Sequence, residues 1–227
     1  MRTDDFDYPL PPERIAQHPL PNRADSRLLV LRRTDRTLLS TTFRTLRTFL
    51  DPGDLIVLNN SRVLPARLMG QKLPSGGSVE ILLLETCQDR SWWTLLRPGK
   101  RVRPGSLLAF TAPDHPPLEA VVLEKDPEGR CRLRFHAPDQ VLPFAERFGR
   151  IPLPPYIRRD APRPEDRERY QTVYARESGS VAAPTAGLHF SPEILAELRQ
   201  HGIGVAEVTL HVGMGTFAPV KAEHIED

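Results

Sequence analysis

Cysteine, asparagine, tryptophan and lysine are all scarce in this chain of 227 residues: two, three, two and four of each. Cys87 and Cys131 stand far apart, with no CxxC or Cys/His spacing around them. Neither a disulfide framework nor a cysteine-based zinc site is suggested, which suits a compartment that keeps thiols reduced. No apolar run approaches the length of about eighteen residues that a membrane-spanning helix needs. The N-terminus, MRTDDFDYPLPPERI, is acidic and broken by proline, unlike a signal peptide, so the cytoplasm is the expected location. No P-loop, dinucleotide fingerprint, nucleophile elbow or metal-ligand cluster is present. The formal net charge is +2, too small to mark a nucleic-acid binder by itself.

What the chain does have is arginine and proline. There are 27 Arg against four Lys, and 24 Pro. Arginine forks onto phosphates and stacks on bases, which would suit RNA. A GC-rich genome or heat adaptation gives the same bias, and abundant proline with little Asn or Cys agrees with a thermophilic source.

RLLVLRR (27–33) and TLLSTTF (37–43), separated by Thr34-Asp35-Arg36, read as a hairpin. FRTLRTFL (43–50) has helical spacing and stops at Pro52-Gly53, and DLIVLNN (54–60) reads as a short buried strand with a polar end. From Arg62 to His136 six short strands follow one another: RVLPARLMG, SVEILLLE, WWTLLR, SLLAFT, LEAVVLEK and RCRLRFH. Turns separate them and no helix does, which predicts a small antiparallel barrel or sandwich. In the last strand alternation puts Cys131 on the core face and Arg130, Arg132 and Arg134 on the other, as solvated surface or as an RNA groove. LPFAERFG (142–149) is a short helix, GRIPLPPYIRR (149–159) an extended proline-stiffened segment, and EDRERYQTVYAR (165–176) a charged helix or its approach. SPEILAELRQHGIG (191–204) has a Ser cap, Pro at the first turn and a Gly stop, so a helix is predicted there, followed by a strand over VAEVTLHVG (205–213).

The expected fold is therefore mainly β with α/β elaboration. A core β-barrel-like domain with flanking helices is formed by residues 1–60 and 150–227, with a second small antiparallel β-barrel inserted at 61–149. KAEHIED ends where a helix is expected to begin, so the core is expected to be incomplete at its C-terminus.

Two segments look like ligand loops. GSVAAPTAGLHF (179–190) consists mostly of Gly, Ala, Ser and Thr and runs directly into a helix start with free amides. Its Pro184, Thr185, Ala186 and Gly187 would line a ligand, or the loop is simply tight packing. TLHVGMGTF (209–217) offers Gly213, Gly215 and Thr216 at a strand end. His189 and His211 are the residues of these loops that titrate near neutrality, each readable as acid or base or as a structural histidine. LNNSRVLPAR (58–67) adds Asn59 and Arg62, and LRPGKRVRPG (96–105) places Arg97, Lys100 and Arg101 around a turn, as phosphate contacts or as a solvated turn.

Taken in order, FDYPLPPERIAQHPLPNRADSRLLVL (6–31), GDLIVLNNSRVLPARLMG (53–70), LRPGKRVRPG, GRIPLPPYIRR, RYQTVYARESGSVAAPTAGLHF (169–190) and TLHVGMGTFAPV (209–220) resemble the queuosine-pathway ribosyltransferase-isomerase family. The resemblance runs over essentially the whole chain. Asn60-Ser61 departs from it, standing where many members carry Asp-Thr, and members continue past the last residue of this chain.

The resemblance implies an enzyme that moves and isomerises the ribosyl part of S-adenosylmethionine onto 7-aminomethyl-7-deazaguanine at the tRNA wobble position, giving epoxyqueuosine-tRNA, adenine and methionine. S-adenosylmethionine is then a consumed co-substrate, with no bound cofactor or metal. Arg97, Lys100, Arg101 and Arg158 become tRNA contacts, and His189 or His211 the acid or base, in a monomer that contacts no membrane. A non-catalytic tRNA-binding remnant is the competing expectation should the protein end at residue 227.

Overall fold

The computed structural model describes residues 1–217 and 222–226. Strands β1 (Arg27–Arg32) and β2 (Thr37–Thr42) form the expected hairpin. Asp35 sets its turn by accepting from the backbone N–H and hydroxyl of Thr37 at 3.1 and 2.7 Å. The segment expected to be helical after it is a 3-10 helix, Phe43–Phe49. Its threonines explain the tighter pitch: Thr45 and Thr48 donate to the carbonyls three residues back, at 2.9 and 2.8 Å.

The expected insertion contains a closed barrel of six antiparallel strands. These are β5 (Arg67–Leu73), β6 (Gly77–Thr86), β7 (Trp92–Arg97), β8 (Leu107–Ala112), β9 (His115–Lys125) and β10 (Arg130–Phe135), in the order β10-β7-β6-β5-β8-β9. Period-two alternation drives the closure. Leu68, Ile81, Leu96, Leu108, Phe110 and Leu133 point inward and are buried, so each strand hides one face and the ring leaves no unpaired edge. Cys131 is fully buried in this core, and burial pushes its thiol up. Arg130 and Arg132 on the opposite face are held by Asp126, Glu124 and Asp89, which favours the solvated-surface reading of that strand. Helix α1 (Val141–Phe148) packs Val141, Phe144 and Ala145 against the same core.

RVLPARLMG is two strands, not one. Pro65 has no N–H to give to a ladder, and it separates β4 (Ser61–Val63) from β5. β4 pairs in parallel with β11 (Glu177–Ser180), outside the barrel. The chain enters and leaves the barrel side by side. A Cβ on Gly149 would meet the Pro65 carbonyl oxygen at 1.9 Å, and Arg67 and Arg150 exchange backbone hydrogen bonds of 3.1 and 2.9 Å.

β3 (Leu55–Asn59) pairs in parallel with β12 (Gly204–Val208). It was expected to be buried, yet Leu55 and Val57 are 63% and 56% exposed while Leu58 is 5%. The cause is that one face alone meets the hydrophobic cluster of Phe43, Phe190, Leu195, Leu198 and Ile203. Among the described residues the core segments thus form three two-stranded sheets, β1–β2, β4–β11 and β3–β12, and are not closed into a barrel. Residues 165–176 give a single turn, α2 (Asp166–Arg169). Helix α3 (Pro192–Gln200) forms where its caps predicted: the Ser191 hydroxyl accepts from the Ile194 N–H, and Gly202 takes φ +77° beyond its end. Among the described residues no helix is long and apolar enough to cross a membrane.

Candidate functional site

Parallel pairing brings the C-terminal ends of β3 and β12 together, with Asn59 opposite Val208. In open parallel sheets ligands sit beyond such ends. Here the first groups met there are occupied in holding the chain together. The Asn59 side chain donates to Leu210 O at 2.8 Å and accepts from the N–H groups of Leu210 and Ser61, both at 3.1 Å. Buried Asn60 donates to Glu207 Oε2 at 3.0 Å and accepts from the Thr209 hydroxyl at 2.8 Å. Glu207 in turn meets Arg176 at 2.7 Å. Ser61 and Ser180 share a buried hydroxyl contact of 3.0 Å, and Ser180 accepts from Val212 N–H at 2.8 Å. These bonds join residues 59–61, 176–181 and 207–212 into one polar junction, so Asn59 acts here as a clamp between segments.

His211 lies against this junction. A Cβ on Gly179, whose φ is +151°, would come within 2.7 Å of the His211 ring. The two predicted ligand loops therefore meet at Gly179 and His211. His189 has different surroundings: its ring lies 5.6 Å from that of Phe43, which packs edge-on against Phe190 at 4.9 Å. Burial, with help from the Arg23 charge, pulls the His189 imidazole below its ordinary value, so it stays neutral and able to accept a proton at pH 7. Arg23 donates to Leu188 O at 2.9 Å and fixes the chain just ahead of this histidine.

The small residues of 179–190 have two distinct causes. Val181, Ala182 and Ala183 are buried, and Gly187 has no room for a side chain because its Cβ would sit 2.1 Å from the Tyr174 hydroxyl. Burial pushes the neighbouring Tyr170 phenol up to about 12, against a smaller opposing effect of a backbone hydrogen bond with Ala183. That half of the loop is packing. Pro184 is half-buried, whereas Thr185 and Ala186 are exposed on the 3-10 turn Thr185–His189, free to face a ligand. Gly213 and Gly215 have open space where a Cβ would stand, and Thr216 is exposed.

The cations are dispersed. Lys100 and Arg101 project from a 3-10 turn, Gly99–Arg101, whose carbonyls accept from Lys125 and Lys72. Arg158 is exposed, and its backbone N–H donates to Gln17 at 2.8 Å. Arg62 lines a cavity of about 470 Å³ with Arg23 and Arg167. Arg97 lines a larger one, of about 740 Å³, with Arg67, Arg147 and Arg150. The sequence pointed to Arg97 there but not to the other three as partners, because residues so far apart in the chain carry no common spacing. Among the described residues no group of His, Cys, Asp and Glu is arranged to hold a metal ion.

Residues 3–227 match the family model described as "Queuosine biosynthesis protein". The chain is 48% identical over 227 residues to the S-adenosylmethionine:tRNA ribosyltransferase-isomerase of Halothermothrix orenii, covering 100% of this chain and 65% of that protein. It is 47% identical over 228 residues to the protein of the same name from Natranaerobius thermophilus, again covering 100% and 65%. Among solved structures, the S-adenosylmethionine tRNA ribosyltransferase of Thermotoga maritima is 35% identical, covers 93% of this chain and 59% of that one, and superposes with a TM-score of 0.37. The chain thus spans 65% of the length of the curated relatives it matches.

Proposed function

The chain belongs to the queuosine biosynthesis protein family, and from this we propose that it carries the ribosyltransferase and isomerase chemistry that its relatives' names describe. The substrates are S-adenosylmethionine, consumed in the reaction, and tRNA bearing 7-aminomethyl-7-deazaguanine at the wobble position. The products are epoxyqueuosine-tRNA, adenine and methionine. The observation that carries this reading is the family match across residues 3–227. On the same reading the protein is an RNA-binding, cytoplasmic monomer. The inserted domain expected at 61–149 is supported by the adjacent entry and exit at Pro65 and Gly149, with β4 left outside its barrel.

The sulfonium acidifies the C5′ protons of S-adenosylmethionine, so a base must remove one. Adenine leaves with the electron pair of its glycosidic bond and gains a proton, which a hydrogen-bond donor assists. The neutral aminomethyl nitrogen of the tRNA base supplies the pair of the new C–N bond and loses a proton. Methionine leaves with the pair of the C5′–S bond, and no oxidant or reductant enters. His189, held neutral by burial, has the protonation state a base needs. His211 stands at the junction of the two loops and is the second candidate. Thr185, Ala186, Gly213, Gly215 and Thr216 supply exposed loop surface for the adenosyl group.

The test is to incubate the protein with S-adenosylmethionine and tRNA carrying the aminomethyl base. Adenine, methionine and tRNA mass are followed together, and equimolar release in step with the mass gain is expected. S-adenosylhomocysteine as product would mean methyl transfer and defeat the assignment. Binding of tRNA with no adenine release would favour the non-catalytic module.

A further inference from the structure

We propose that the 740 Å³ cavity between the barrel and the proline-rich segment is the seat of an RNA strand, with backbone phosphates held by Arg97 and Arg150. The proposal rests on the reading of the protein as a tRNA-modifying enzyme and adds where the RNA is gripped.

The floor of the cavity is the outer face of β5, β6 and β7. Arg67 stands opposite Leu82, Leu82 opposite Leu95, and Glu80 opposite Arg97. Their inward-pointing neighbours Leu68, Ile81 and Leu96 are locked in the barrel core, so the floor is fixed in register. The roof is the segment from Arg150 to Pro164, with Pro152, Pro154, Pro155, Pro162 and Pro164 along the cavity. Proline locks φ and stiffens this strap. The strap is also pinned in place. Arg150 and Arg67 exchange backbone hydrogen bonds, and Arg167 donates to Glu146 O and Gly149 O, each at 2.7 Å. Arg159 grips Asp166 through two contacts of 2.9 Å, both side chains nearly buried. The cavity is thus pre-formed, and ordering it costs little on binding.

Its charge is not balanced among the described residues. Seven arginines and three carboxylates line it. Arg159 and Arg167 are used by the strap itself, and Arg163 meets His18 and Glu165. Arg67 meets Glu80 at 3.0 Å through Nη1, but its Nε is buried with no hydrogen-bond partner. Arg97 and Arg150 have no carboxylate partner among the described residues, and both are exposed to the cavity's solvent. Unpaired guanidiniums around one space call for ligand oxygens. S-adenosylmethionine, with sulfonium and ammonium against one carboxylate, is net cationic and would be repelled. A single free phosphate would leave most of the volume empty. An RNA strand fits both features, with phosphates on the forked cations and a base against Leu82, Leu95 and an arginine face.

The experiment measures binding of an unmodified tRNA transcript to the full chain by fluorescence anisotropy across a salt series. Arg97→Ala and Arg150→Ala should each weaken binding about tenfold, as loss of a charge-assisted hydrogen bond does. Each should also flatten the slope of log K against log salt by about 0.7 to 0.9. Arg97→Lys should keep most of the slope, since it keeps the charge. S-adenosylmethionine binding, followed by calorimetry, should be unchanged in all three. Parental affinity and slope in both alanine variants would overturn the seat and leave the enzymatic reading standing. Failure of the parent to bind the transcript would overturn both. Competition by poly-glutamate as strong as by tRNA would make the cavity an acidic-peptide site and also overturn the proposal.

Discussion

The barrel and the segments flanking it satisfy their backbones in opposite ways. The barrel closes on itself, so every strand has two neighbours and its side chains bury a continuous core. Among the described residues the flanking segments form three two-stranded sheets held by short side-chain bonds, and they leave Leu29, Leu31, Leu38, Leu55 and Val57 exposed. Closure gives rigidity and leaves no unpaired edge on which a ligand could add. Open pairs stitched by Asn59, Asn60 and Ser180 leave loop ends free, and those ends carry the candidate chemistry. Loops positioned by a rigid scaffold are where binding residues concentrate.

The contrast is sharpest in the cost of losing apolar side chains. Phe110→Ala, in the barrel core, should destabilise the protein by about 3–5 kcal/mol in urea unfolding. Leu55→Ala, on the exposed face of β3, should change it by about 0.5 kcal/mol or less. Similar losses at both sites would erase the distinction drawn between the two regions.

Within the loops, packing and ligand-facing positions should separate next. Gly187→Ala collides with the Tyr174 hydroxyl and should cost about 1–3 kcal/mol, part of it recovered by adding Tyr174→Phe. Gly213→Ala meets nothing within 4 Å, so any defect it shows should appear in S-adenosylmethionine binding and not in unfolding. A stable Gly187→Ala variant that binds S-adenosylmethionine poorly would instead make Gly187 a ligand wall.

The smallest expected effect is a pH dependence. The His189 imidazole is depressed by burial and Arg23, so the folded state resists a proton that the unfolded chain accepts. Its contribution to stability is therefore whole above the ordinary histidine value of 6.5 and declines as pH falls from there through the folded value. Urea midpoints between pH 8 and pH 5 should show less decline in His189→Gln than in the parent. An identical decline in both would mean that His189 is not the group being titrated.

The sequence made the barrel legible because alternation and turn residues are local signals, repeated six times between Arg67 and Phe135. Helix α3 was legible for the same reason, through Ser191, Pro192 and Gly202. The split at Pro65 was readable in principle, since proline breaks a ladder, but the partner of β4 was not. The pairings β4–β11 and β3–β12 join residues more than a hundred positions apart, and no local pattern encodes them. The site was legible as two loops, and their meeting at Gly179 and His211 was not. Gly187 looked like room for a ligand, and only the Tyr174 hydroxyl shows that its small size serves packing. The arginine cavity escaped because Arg67, Arg97 and Arg150 come together only through strand register and one bridge.

The central claim is ribosyl transfer, and S-adenosylmethionine carrying 13C in its five ribosyl carbons tests it most directly. After reaction with tRNA bearing the aminomethyl base, the account predicts all five labelled carbons in the modified nucleoside and none in the released adenine or methionine. Label retained in an adenosyl-containing product, with the tRNA unlabelled, would contradict it.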